Sequence, residues 1–204
     1  MSVLGLGPAL YVRSRTLPAT VAAVLGTAAA AAWSAAWLQS QPGFDHTARV
    51  PVVVLGPLLA ASAVGTSLYA ASDELDRTAT RPWPLRRTAH VLALTVLAVA
   101  LLALSVPGHP EEFGGPAIVR NTLGAVGVTA AAAALIGARA SWLPITVYVG
   151  SVYVAAPSTP GGAAALWAWP MQPGPEAGAW AVALGAFAGG TALHAFRGAR
   201  PVRA

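Results

Sequence analysis

From Leu17 to Leu38 (LPATVAAVLGTAAAAAWSAAWL) the chain carries no charged side chain, and a second uncharged run, Val50 to Ala71, follows after a short polar break. An α-helix needs about 20 apolar residues to cross the ~30 Å hydrocarbon core of a bilayer, where every backbone amide must be satisfied within its own segment. Four further runs follow: His90 to Val106, Ile118 to Ala138, Trp142 to about Ala156, and about Ala177 to Phe196. These runs describe an all-α, polytopic membrane protein, a single transmembrane domain over 1–204. About six helices are expected, at about 17–38, 50–71, 90–106, 118–138, 142–156 and 177–196. Composition agrees: 9% of residues are charged, against about 25% in soluble domains. The first run follows Arg13 and Arg15 as a signal peptide would, but it exceeds the 7–15 residues of a typical signal core, so it reads as retained.

Topology is written in the arginines. All twelve basic residues are arginine, which together with the abundant Ala, Gly and Pro matches the coding bias of a GC-rich bacterium. A cytoplasmic N-terminus puts ten of the twelve, all but Arg49 and Arg120, on the cytoplasmic side. That asymmetry is the positive-inside rule. It gives cytoplasmic N- and C-termini and a bacterial inner membrane location. The pI near 10.7 is therefore a topology signal, not a sign of nucleic-acid binding. Cysteine is absent, which excludes disulfides, thiolate metal sites and a cysteine nucleophile.

Loops differ between the two faces. Residues 1–15 place apolar side chains before two arginines, as an interfacial helix does. The 157–176 loop is long and apolar, and its Trp167 and Trp169 suit either the membrane interface or a re-entrant hairpin. The 72–89 loop holds SDELDRTATRPWPLRR (Ser72–Arg87), with seven of the chain's charged residues. Its plain role is to fix topology. Ser72 is a helix N-cap candidate, and Asp73, Glu74 and Asp76 would lie in the first turn, where the helix dipole favours negative charge. Asp73 and Arg77 stand at i,i+4, and Pro82 and Pro84 would stop this short helix.

The same loop resembles the cytoplasmic coupling segment of ABC-type exporter permeases, the six-span class that includes drug and polysaccharide exporters. The matching residues are acidic Asp73, Glu74 and Asp76, then Thr78 and Thr80, then Pro84, Arg86 and Arg87. The Gly-Thr pair often found midway through that loop is missing here. The interfacial first helix, six spans and re-entrant element before the last span match in outline. The resemblance implies a permease subunit of an ATP-driven exporter, with Asp73, Glu74, Asp76, Arg77, Trp83, Arg86 and Arg87 facing an ABC-type ATPase. It also implies a second permease, identical or homologous. No cofactor is expected on this chain, and ATP-Mg would sit on the separate ATPase. A chain without lysine has no phosphate-binding Gly-rich Lys-Ser/Thr loop of its own.

Two alternatives stand beside this reading. One is a small accessory protein that stabilises a larger membrane complex. The other follows from DELDRTATRP, which also resembles the first aspartate-rich motif of intramembrane prenyltransferases. There Asp73 and Asp76 would hold Mg²⁺ on a prenyl diphosphate. That chemistry needs a second acidic cluster on the same face, and Glu111, Glu112 and Glu176 are expected on the other.

Within the spans, Arg120 and Asn121 are candidates for a pathway or boundary role. Arg120 is expected to snorkel to headgroups. Pro57 is a candidate kink. Gly185, Gly189, Gly124 and Gly127 are expected to pack helices within the bundle. No histidine pair has metal-ligand spacing, so no metal site is expected.

Overall fold

A computed structural model describes residues 16–42, 49–69, 83–106, 108, 111–157 and 159–200. The interfacial helix expected at 1–15 and most of the charged loop lie outside the described residues. The fold is all-α: α1 Leu17–Gln39, α2 Val50–Ser67, α3 Trp83–Ser105, α4 Gly115–Ile136, α5 Trp142–Ala155, a single turn α6 Ala164–Trp167, and α7 Ala177–Arg197. Short 3₁₀ turns at Ala138–Ala140 and Trp169–Met171 complete it. Five of these helices (α1, α2, α3, α4 and α7) are long and apolar enough to cross a membrane.

Proline sets where the passes begin. Pro18, Pro51, Pro84, Pro116 and Pro144 each fall in the first three residues of α1 to α5. A helix's first N–H groups have no intrahelical acceptor, so proline loses nothing there. Pro84 thus opens α3, and the short helix it was expected to stop lies outside the described residues. The third pass starts at Trp83, seven residues before the expected His90, and Trp83, Arg86 and Arg87 belong to its first two turns.

The fifth pass has 14 residues, about 21 Å at 1.5 Å per residue. That falls short of a bilayer core. Ala156 is extended (ψ 133°), as a residue before proline prefers, and Pro157 ends the helix. Residues 159–176 follow it and fold back against α4, α5 and α7. Of the six expected passes, five form helices long enough to span, and the fifth, α5, is not long enough by itself.

The contacts fix the two ends of the bundle. The Arg139 guanidinium lies 5.5 Å from the Tyr69 ring centre, and Arg87 donates to the Ala195 carbonyl at 3.4 Å. Arg200 N donates to Ala133 O at 2.9 Å. One end therefore gathers Arg87, Arg139 and Arg200. The opposite end joins Gly174 N to Glu112 O at 2.7 Å. The arginine asymmetry read from the sequence corresponds to a physical end of the molecule.

Helix α4 sits at the centre, with 67% of its span buried, against α2, α3, α5 and α7. Its small side chains make this possible. α4 and α7 run parallel, and their most intimate contact is glycine on glycine. A Cβ at Gly127 would overlap the backbone of Ala186, and one at Gly190 would overlap the Gly127 carbonyl. Gly185 and Gly189 do not join in. Both are exposed, and a Cβ at either meets nothing within 4 Å. The expectation that this GxxxG packs inside the bundle is corrected: the seam uses Gly190, on the other side of the helix.

Candidate functional site

The polar centre of the bundle lies where α4 meets the folded-back segment. Arg120 is fully buried. Its Nε donates to Asn121 Oδ1 at 3.1 Å, and its two terminal nitrogens donate to the Pro173 carbonyl at 2.6 Å and the Gln172 carbonyl at 2.7 Å. Snorkelling is therefore corrected. The side chain turns inward because the folded-back segment offers carbonyls that no helix satisfies, and a guanidinium with five N–H donors matches them.

Asn121 resolves a second difficulty. Pro57 lies in the middle of α2 and has no N–H for the carbonyl four residues earlier, that of Val53. Asn121 Nδ2 donates to that carbonyl at 3.0 Å and to the Pro170 carbonyl at 2.8 Å. A neighbouring side chain thus supplies the bond that proline removed, which is how a bilayer-spanning helix tolerates such a proline. Replacing Asn121 by Leu should cost about 1–3 kcal/mol through unpaired carbonyls. In a Pro57→Ala background the backbone regains an N–H that can serve the Val53 carbonyl, and that cost should fall by about 1 kcal/mol. A double-mutant cycle on detergent melting curves checks this, and strict additivity would show the two sites to be independent.

The segment itself is built to fit. Gly124, one turn beyond Arg120, leaves the space into which the Trp169 indole inserts; a Cβ there would overlap the ring. Trp169 stacks on Tyr148 of α5, with ring centres 6.1 Å apart and planes 23° apart. Tyr148 Oη donates to the Trp167 carbonyl, and Trp180 Nε1 donates to the Gly174 carbonyl at 2.8 Å. Gln172, almost wholly buried, accepts from Gly161 N at 2.8 Å. The Trp169–Pro173 stretch is thus an inserted plug, pinned by α4 and α5. Of the two expectations for Trp167 and Trp169, Trp169 takes the re-entrant one, and Trp167 remains partly exposed.

The charged-loop candidates fare unevenly. Asp73, Glu74, Asp76 and Arg77 lie outside the described residues. Arg86 is exposed, with its guanidinium 5.7 Å from the Trp83 ring centre. Arg87 is buried and ties α3 to the end of α7, and a Cβ at Gly198 would come within 2.7 Å of its guanidinium. His90 pairs with Ser67 at 3.0 Å, linking α3 to α2. Glu111, Glu112 and Glu176 sit at the end opposite Trp83.

Sequence reading singled out Arg120 and Asn121 for a pathway or boundary role, not for the carbonyls they bond. The signal was present in part: a proline inside an apolar run leaves one carbonyl short of a donor, and a buried amide elsewhere is a ready source. No family model matches the chain, and no curated protein or solved structure is significantly similar to it.

Proposed function

We propose that the chain is a permease subunit of an ATP-driven ABC-type exporter, working with a separate ATPase and a second permease. The observation that carries this reading is the plug between the fifth and sixth passes, inserted from the arginine-poor end. It has the form of the re-entrant element that the resemblance implies before the last span.

The third pass supports the coupling role. α3 is continuous from Trp83, one residue past the undescribed part of the charged loop, to Ser105. A push delivered to that loop would enter a rigid helix directly. Through Arg87 and the Ala195 carbonyl it would also reach the end of α7. In this scheme the exposed Arg86 and the half-buried Trp83 remain at the ATPase face, together with Asp73, Glu74, Asp76 and Arg77. ATP and Mg²⁺ belong to the partner, and the membrane location is the bacterial inner membrane.

Affinity purification in a gentle detergent tests the proposal. An ATPase with a phosphate-binding loop should co-purify in stoichiometric amount, and replacing Asp73–Arg77 by Ser/Gly should release it while the bundle stays folded. If no ATPase appears under conditions that keep a known exporter intact, the reading fails.

A second reading, an accessory protein that braces a larger complex, has its own support. The donors of Arg120 and Asn121 described above are spent on carbonyls of this chain and on each other, as in a static scaffold. It differs in one outcome: scrambling the loop charges at constant arginine count would leave function intact. The prenyltransferase-like reading would require Mg²⁺-dependent turnover abolished by Asp73→Ala or Asp76→Ala.

A further inference from the structure

Between α1 and α2 runs a groove of ≈ 230 Å³, bounded at one end by Leu38 and Pro51 and at the other by Thr27 and Leu59. Small residues create it. Ala30, Ala31 and Ser34 of α1 and Gly56 of α2 line it, and a Cβ at Gly56 would meet Ala31 at 3.9 Å, so the helices leave a trough where larger side chains would fill it. Among the described residues that line it the polar side chains are Thr27 and Ser34, and the Thr27 hydroxyl is already bonded to the Ala23 carbonyl at 2.8 Å. Leu55 and Leu59, 46% and 56% exposed, form an apolar rim.

Depth identifies the occupant. α1 ends and α2 begins at the arginine-poor end, so the groove starts there at Leu38 and Pro51. It stops at Thr27, eleven residues into the span, which is about 16 Å at 1.5 Å per residue. Half of a ~30 Å hydrocarbon core is about 15 Å. The groove therefore covers one leaflet and ends at the midplane. A partner helix packed along this face would run on through the second leaflet, whereas the groove stops at Thr27 and Leu59, near the middle of α1 and α2. A single acyl chain has the right chemistry and the right end point.

We propose that the α1–α2 groove is a binding site for one acyl chain of a membrane phospholipid from the leaflet at the arginine-poor end. The site holds that chain in preference to the lipid layer that wets the other apolar faces. It stands independently of the transport reading, since it needs only a bilayer-spanning bundle.

The test uses the full chain in nanodiscs of phosphatidylcholine carrying a photoactivatable diazirine on one acyl chain, near either the carbonyl or the terminal methyl. Cross-links should concentrate on residues 27–38 and 51–59, at least five-fold above the exposed faces of α5 and α7. The carbonyl-proximal probe should label near Leu38 and Pro51, and the terminal probe near Thr27 and Leu59. Ala30→Trp, which fills the trough, should cut labelling there at least five-fold, while Ala29→Trp on the same helix outside the groove should not. Equal labelling of all exposed faces in the parent protein would overturn the proposal, even if Ala30→Trp fails to fold. The reversed depth order would overturn it too, because the chain would then come from the other leaflet.

Discussion

Replacing Arg120 by Met should lower the stability of the bundle by about 3 kcal/mol, because it leaves the buried Gln172 carbonyl without its charged donor and leaves the part-buried Pro173 carbonyl only the long bond from Glu176 N at 3.4 Å. Each loses a charge-assisted bond at 2.6–2.7 Å, and bonds to charged groups contribute about 1.5–3 kcal/mol. Methionine keeps much of the volume, so packing is not the main loss. Arg120→Lys should fall between parent and Met: it keeps the charge but cannot aim a planar fork at two carbonyls. Thermal unfolding in mild detergent measures the loss, and limited proteolysis locates it. Cleavage should appear first at 157–176, the segment that the guanidinium pins. A parent-like melt for Arg120→Met would mean that Trp169 in the space left by Gly124 holds the plug unaided.

A single added methyl at Gly190 should be about as damaging, at roughly 2–3 kcal/mol, the upper part of the usual overpacking range. The new Cβ would overlap the Gly127 carbonyl. Backbone cannot rotate away as a side chain can, so α4 and α7 would have to separate along the most extensive contact in the fold. Helix propensity works in the opposite direction by about 1 kcal/mol, and the clash outweighs it. Gly189→Ala, one residue earlier, is the control: its Cβ meets nothing within 4 Å, so propensity alone acts and stability should hold or rise by up to about 1 kcal/mol. Melting curves of the two variants side by side decide the matter. Equal behaviour would place the seam elsewhere on α7.

These two residues also show where sequence reading stops. Gly185, Gly189 and Gly190 share one helix and one chemistry, and a GxxxG spacing drew attention to the first two. Which of them meets a neighbour depends on the rotation of α7 about its own axis. That rotation is set by α4, whose Gly127 lies about 60 residues away in sequence. Arg120 gives the same lesson for a charge. Near a span end it can reach headgroups or turn inward, and only the carbonyls of a segment more than fifty residues later decide between them.

By itself the sequence determined the all-α, membrane-spanning class and the asymmetry of the ends, because these follow from local quantities: the length of apolar runs and the distribution of arginine. Pro84 was read only as a stop, and its place in the first turn of α3 follows from the rule that proline opens helices as well as stopping them. Tertiary structure alone decided that Asn121 completes the proline-broken α2, that Trp169 enters the space at Gly124, and that Arg87 joins α3 to α7. The physical reason is that a bilayer leaves no polar group to water. Each orphaned carbonyl must find a donor on another helix, and which helix comes within 3 Å is a property of the assembled bundle.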